Sequence, residues 1–139
     1  MSLITVQTTI TASVATVWEC WTKPEHVTKW NFASPDWHCP KATSVLEVNG
    51  EFHHIMAAKD GSFEFDFWGK FTQIEIEKQI QIELGDSRKV TVLFETKSDQ
   101  TTLVTEHFEP ENQNYSLDLQ KAGWQAILDN FKQYVETIV

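Results

Sequence analysis

Leu117, Gln120, Trp124, Ile127, Leu128, Phe131, Tyr134, Val135 and Ile138 hold a 3.6-residue period over about six turns. A helix of that length spans more than ~30 Å, enough to cross a whole small sheet, and its one apolar stripe must lie on another layer. The segments before it supply that layer. Leu3 to Ile10 alternates, with Ile4, Val6, Thr8 and Ile10 on one side. Alternating runs follow at Ser44 to Val48, Glu51 to Ala58, Phe63 to Phe71, Ile80 to Leu84, Val90 to Phe94 and Thr101 to Phe108. Turn-forming clusters part them: Asn49-Gly50, Lys59-Asp60-Gly61-Ser62, Gly85-Asp86 and Ser98-Asp99-Gln100. Pro110-Glu111-Asn112 closes the series. Short turns make neighbouring strands antiparallel, such a sheet buries one face, and its twist curls it. The expected fold is α+β: a curved antiparallel sheet of about seven strands (β-α-α-β6-α) around a long C-terminal helix, with residues 1–139 in one domain.

Two short helices are expected after the first strand. Ser13 is placed to cap the first, whose stripe is Val14, Val17, Trp18 and Trp21, with Cys20 as a small core filler. Thr22-Lys23-Pro24-Glu25 reads as a capping box, with Thr22 as cap, opening a second helix that ends near Trp30. Residues 31–42 carry Pro35 and Pro40 without a period and read as a loop.

Charge removes whole classes of function. Twenty acidic residues stand against 11 basic ones, a formal charge of −9, and Arg88 is the only arginine. Nucleic acid and anionic membrane surfaces both call for the opposite sign. The start of the chain has no basic n-region and no apolar h-region, and no run approaches the roughly 18 apolar residues of a membrane helix. A cytoplasmic setting is expected, in which Cys20 and Cys39 stay thiols. His38-Cys39 is an adjacent pair without a second ligand pair, so no metal and no cofactor is expected. Neither a nucleophile elbow nor a phosphate-cradling glycine loop is present.

Strand parity selects the inward side chains. Phe52, His54 and Met56 share a face, as do Phe63, Phe65, Phe67 and Phe71, while Glu64, Asp66 and His53 point outward. On the last strand Thr102, Val104, Glu106 and Phe108 go together, which places His54 and Glu106 as polar groups in an apolar interior. A bulge would reverse this and turn Leu103, Thr105 and His107 inward. The His54–Glu106 pair reads in four ways: a ligand hydrogen-bonding pair, an acid and base, a structural contact, or Glu106 at a wet mouth. Trp30, Phe32 and Trp37 cluster about the loop that would cap a cavity, and Trp124, Leu128 and Phe131 face the sheet from the long helix. Gly123 would allow close approach of that helix to a strand.

Five motifs in register carry a family resemblance over nearly the whole chain. They are Val17-Trp18 with Pro24-Glu25-His26-Val27-Thr28-Lys29-Trp30, Leu46-Glu47-Val48-Asn49-Gly50-Glu51-Phe52, Asp60-Gly61, Gly69-Lys70-Phe71-Thr72-Gln73-Ile74, and Gly123-Trp124 with Leu128. Together they resemble the SRPBCC superfamily, and within it the AHSA1-type branch, homologues of the activator of heat-shock protein 90 ATPase. Asn49 replaces a glycine of the branch, and Trp30-Asn31-Phe32 departs from its usual aromatic pair. The resemblance implies a helix-grip, START-like fold and a small hydrophobic or aromatic ligand, lipid-, sterol- or polyketide-like, between sheet and helix. The residues expected there are Trp30, Phe32, Trp37, Phe52, His54, Met56, Phe65, Phe67, Val104, Glu106, Trp124, Leu128 and Phe131. A cyclase, dehydratase or hydrolase acting on such a ligand is the first alternative, and a module that stimulates a chaperone ATPase the second. A monomer or a weak homodimer is expected; the Ser44–Val48 strand or its neighbour is a candidate sheet edge for pairing, though no residue demands it.

Overall fold

A computed structural model describes residues 3–111 and 115–139, so Asn112 of the expected closing turn lies outside the described residues. The order is β1 (Ile4–Ile10), α1 (Val14–Thr22), α2 (Pro24–Trp30), β2 (Trp37–Ser44), β3 (Glu51–Ala58), β4 (Glu64–Glu75), β5 (Gln79–Leu84), β6 (Lys89–Ser98), β7 (Thr101–Phe108) and α3 (Leu117–Ile138). The seven strands form one antiparallel sheet in the order β1-β7-β6-β5-β4-β3-β2. Only β1 departs from a meander: the αα hairpin carries the chain across the sheet from one edge strand to the other. The sheet curls around α3, the α+β helix-grip arrangement that the order of segments implies.

Side chains of α3 hold the edge strand β1. Gln125 Nε2 donates to the Gln7 carbonyl at 3.2 Å, Lys132 Nζ to the Thr9 carbonyl at 2.7 Å, and Glu136 Oε2 accepts from the Thr11 amide at 2.8 Å. These bonds occupy backbone groups that an edge strand otherwise leaves open. At the other flank Asn130 Nδ2 donates to the Phe32 carbonyl at 2.8 Å, and the Tyr134 hydroxyl meets His26 Nδ1 at 2.6 Å. Gln120, a polar residue on the apolar stripe, is buried because its amide bonds the Glu111 amide and carbonyl and the Tyr115 carbonyl. It pins the chain that leads into the helix.

Three local expectations are corrected. The α2 cap is Lys23, without a side-chain bond; Thr22 ends α1, its hydroxyl donating to the Trp18 carbonyl at 2.8 Å, and Pro24 opens α2. The strand expected at Ser44–Val48 lies earlier, at Trp37–Ser44, within the stretch that the prolines mark as loop. Pro40 is accommodated because β2 is an edge strand and its pairing with β3 shifts register between His38 and Lys41. Val45, Leu46 and Val48 are exposed in the connection. There Asn49 takes φ +71°, but Gly50 is required for contact: a Cβ at Gly50 would overlap the Val45 carbonyl oxygen.

The third correction is Gly123. A Cβ built there meets nothing within 4 Å, so the helix approaches no strand at that point. Gly123→Ala removes backbone freedom from the unfolded chain and nothing from the folded one. It is expected to stabilise the protein by about 0.5–1 kcal/mol, read as a raised urea midpoint at unchanged slope; a loss of stability would show an unseen packing role.

Candidate functional site: a cavity under the helix

Where the sheet curls away from α3 it leaves a cavity of about 260 Å³. The αα hairpin closes one side with Trp21, Thr22, Trp30 and Asn31; β2 to β4 contribute Ser44, Phe52, His54, Met56, Phe65, Phe67 and Phe71. Ile80, Ile82, Val90, Val92 and Glu106 come from β5 to β7, and Trp124 and Ile127 from α3. Alternation of period two produces this lining: Phe52, His54 and Met56 of β3 and several inward positions of β4 to β6 fall on it.

Eight of the 13 candidate residues line the cavity: Trp30, Phe52, His54, Met56, Phe65, Phe67, Glu106 and Trp124. Phe65 is 43% exposed, which sets it at the rim. The Phe ladder loses cover from buried Phe71 back to Phe63, 57% exposed just before β4; Trp124 of α3 meets Phe67 edge-on at 6.3 Å. Trp37 stands outside the lining, 6.1 Å from the rings of both Phe63 and Phe65. Phe32 also lies off it. Val104, Leu128 and Phe131 are fully buried in the core beside the cavity rather than on its wall. Phe131 meets Trp21 and Trp30 edge-on at 4.9 and 4.7 Å, and those two indoles stack at 5.0 Å. Trp30 Nε1 donates to the Cys20 carbonyl at 3.0 Å, fixing the wall.

Sequence reasoning places Trp21 on the helix stripe without separating its cavity edge from its core edge. It does not single out Asn31 or Ser44 either. The Trp30-Asn31-Phe32 departure from the family pattern marks Asn31, the residue that meets His54.

The titratable groups of the lining are His54 and Glu106. All four inward positions of β7, Thr102, Val104, Glu106 and Phe108, are buried, so no bulge reverses that strand. His54 and Glu106 share the cavity without bonding to each other. His54 Nδ1 lies 3.2 Å from Asn31 Nδ2, and no hydrogen bond holds the Glu106 carboxyl among the described residues. Burial pushes Glu106 up to about 8, with no charge to offset it, and lowers His54 to about 4 despite the Asp66 carboxylate on the outer face. Both are neutral at pH 7. Asn31 therefore donates to His54 Nδ1, which leaves the His54 proton on Nε2.

Outside the cavity His53 bridges Asp66 and Glu51 at 2.8 and 3.0 Å and stacks on Trp68. Cys20 and Cys39 are buried free thiols, raised by burial. No group of three metal-ligating side chains occurs among the described residues, and no helix there is long and apolar enough to cross a membrane.

A curled antiparallel sheet that grips one long helix over an apolar cavity defines the helix-grip class of SRPBCC-type domains. The profile of the family described as activator of Hsp90 ATPase homolog 1-like protein matches residues 11–136. The chain belongs to that family. It is similar to an AHSA1-like protein from Aeromonas hydrophila, at 40% identity over 97% of this chain and 94% of that one, with a TM-score of 0.87. It is also similar to a protein from Cytophaga hutchinsonii, at 45% identity over 98% and 93% of the two chains, TM-score 0.83. A protein from Nitrosomonas europaea shares the fold at 17% identity, over 99% and 96% of the two chains, TM-score 0.82. No curated protein matches the chain.

Proposed function

We propose that this protein binds a compact, mostly apolar small molecule, aromatic in at least one part, in the cavity between the sheet and α3. The observation that carries this reading is the lining itself: Phe52, Phe65, Phe67, Trp21, Trp30 and Trp124 surround a space interrupted by a few polar side chains. Walls that are largely apolar, with a small number of placed polar groups, are the usual form of small-molecule sites. Volume narrows the guest. An engineered cavity of roughly 150 Å³ holds benzene, so about 260 Å³ suits one or two fused rings better than a sterol. Binding is favoured over turnover because His54 bonds Asn31 rather than Glu106, which leaves no assembled acid–base couple. The chaperone-stimulating alternative rests on the family description alone.

Thermal shift against a panel of naphthalene derivatives, fatty acids and sterols tests the reading. At a concentration about a hundredfold above Kd, a guest adds about 2.7 kcal/mol, worth several degrees in Tm. Val92→Phe, which fills the floor from β6, is expected to fold and to lose that shift. No shift with any two-ring compound, or an equal shift in the filled variant, would overturn the proposal.

A further inference from the structure

Glu106 is built like a ligand-binding group and unlike a structural one. It is 6% exposed and lies between Val6 on β1 and Val92 on β6 along the sheet. Nothing among the described residues hydrogen-bonds its carboxyl. Its oxygens are nevertheless not sealed in: Ser44 Oγ is the one closed-off side-chain polar atom without a partner among those residues. The carboxyl therefore opens onto the cavity that Glu106 lines. A buried acid without a partner costs folding free energy, which an apolar residue at the same position would avoid.

Resting on the cavity-binding reading above, we propose that Glu106 selects the guest: as the neutral acid it donates a hydrogen bond to a carbonyl oxygen of an uncharged aromatic molecule, and the site turns away the corresponding carboxylate. Among the described residues no cation lines the cavity beside Glu106. Its sheet neighbours are Val6 and Val92, α3 contributes Trp124 and Ile127 to the lining, and the αα hairpin adds uncharged side chains. The one other titratable group of the lining is His54 on β3. Burial keeps both neutral, Glu106 raised to about 8 and His54 lowered to about 4. Asn31 occupies His54 Nδ1, so His54 presents an N–H as Glu106 presents an O–H. Donors without a fixed cation suit neutral acceptors. A carboxylate guest would shed its water and find no positive charge.

Four probes share one ring system and differ at the polar end: acetylnaphthalene, ethylnaphthalene, naphthoate and naphthylmethylamine. Each is titrated by calorimetry into the wild type, Glu106→Gln and Glu106→Leu, near pH 6.5 and again near pH 9.5. Near pH 6.5 the wild type is expected to bind the ketone about tenfold tighter than the hydrocarbon, the worth of about one buried hydrogen bond. Naphthoate is expected to be the weakest. Glu106→Gln, whose amide still donates, keeps the preference for the ketone, and Glu106→Leu loses it. Near pH 9.5 the wild type loses the preference and Glu106→Gln does not. Equal binding of ketone and hydrocarbon overturns this inference while leaving the cavity reading intact, and so does tightest binding of naphthoate or of the amine. Failure of all four probes to bind overturns both. A carbon-13 titration of the Glu106 carboxyl in the free protein adds a check that needs no guest and no folded Leu variant: a midpoint below about 6 overturns the neutral-donor role.

Discussion

Phe131→Ala is expected to remove about 3–5 kcal/mol of folding stability, the range for deleting a fully buried aromatic ring. Phe131 is 0% exposed and stands edge-on to both Trp21 and Trp30, so one ring joins α3 to α1 and α2 together. Removing it leaves a void flanked by two large indoles that already stack on each other and so have little freedom to collapse inward. A domain of this size has a total stability of about 5–15 kcal/mol, so the variant should sit near the edge of unfolding. Urea denaturation read by tryptophan fluorescence measures the loss. A cost under about 1 kcal/mol would mean that α3 is not gripped at this point and that the hairpin packs on something else.

A plateau followed by a decline is the second expectation, for stability against pH. The native state keeps the Glu106 proton until about pH 8, whereas the unfolded chain releases it near 4.5. Between those values the unfolded state binds fewer protons, so stability falls as pH rises, by on the order of 5 kcal/mol over the window. His54 works in the opposite sense. Native His54 stays neutral down to about 4 and the unfolded residue is protonated below 6.5, so stability rises with pH between those values, by on the order of 3 kcal/mol. From 4.5 to 6.5 the two slopes cancel; from 6.5 to 8 the Glu106 slope stands alone in the cavity.

Groups on the surface modify the ends of this profile and leave its centre. His53, raised by the Asp66 and Glu51 carboxylates, adds a loss of the same sign above 6.5, kept small by exposure. Asp60, lowered by hydrogen bonds from Ser62, and Glu136, lowered by Lys132 and the Thr11 amide, lose their contributions only as pH falls through the acid range. Chemical denaturation at a series of pH values is the measurement. His54→Phe should abolish the plateau and let the decline begin near 4.5, and Glu106→Gln should remove most of the decline above 6.5. A wild-type profile that is flat from 6.5 to 8 would contradict the burial of an unpaired acid.

What could be read along the chain depended on whether one local pattern had one spatial meaning. On β7 it did: with Val104 and Phe108 inward, Glu106 followed by parity alone. Around Ser44 to Val48 it did not. Alternation there reads as a strand, but a strand also needs a partner, and β3 pairs with Trp37–Ser44. Pro40 hid that pairing, since a proline excludes a central strand and permits an edge one, and edge position belongs to the assembled sheet. The capping box expected at Thr22 is a smaller case: the Thr22 hydroxyl bonds backward to the Trp18 carbonyl, and Lys23 caps α2 without a side-chain bond.

The sequence by itself determined the β-α-α-β6-α order, the inward faces of β1, β3 and β7, the long gripping helix, the family and the acidic balance, because each follows from spacing, charge or motif along the chain. Tertiary structure alone decided which inward residues border empty space and which are packed solid. Val104 and Glu106 share a face of β7, and Leu128 and Ile127 are neighbours on α3, yet one of each pair meets the cavity and the other the core. That division depends on how far the helix stands off a curled sheet, a distance set by all the packed side chains at once. The same reason gives His54 its partner in Asn31, from the end of a helix, instead of in Glu106 on the far side of the curl.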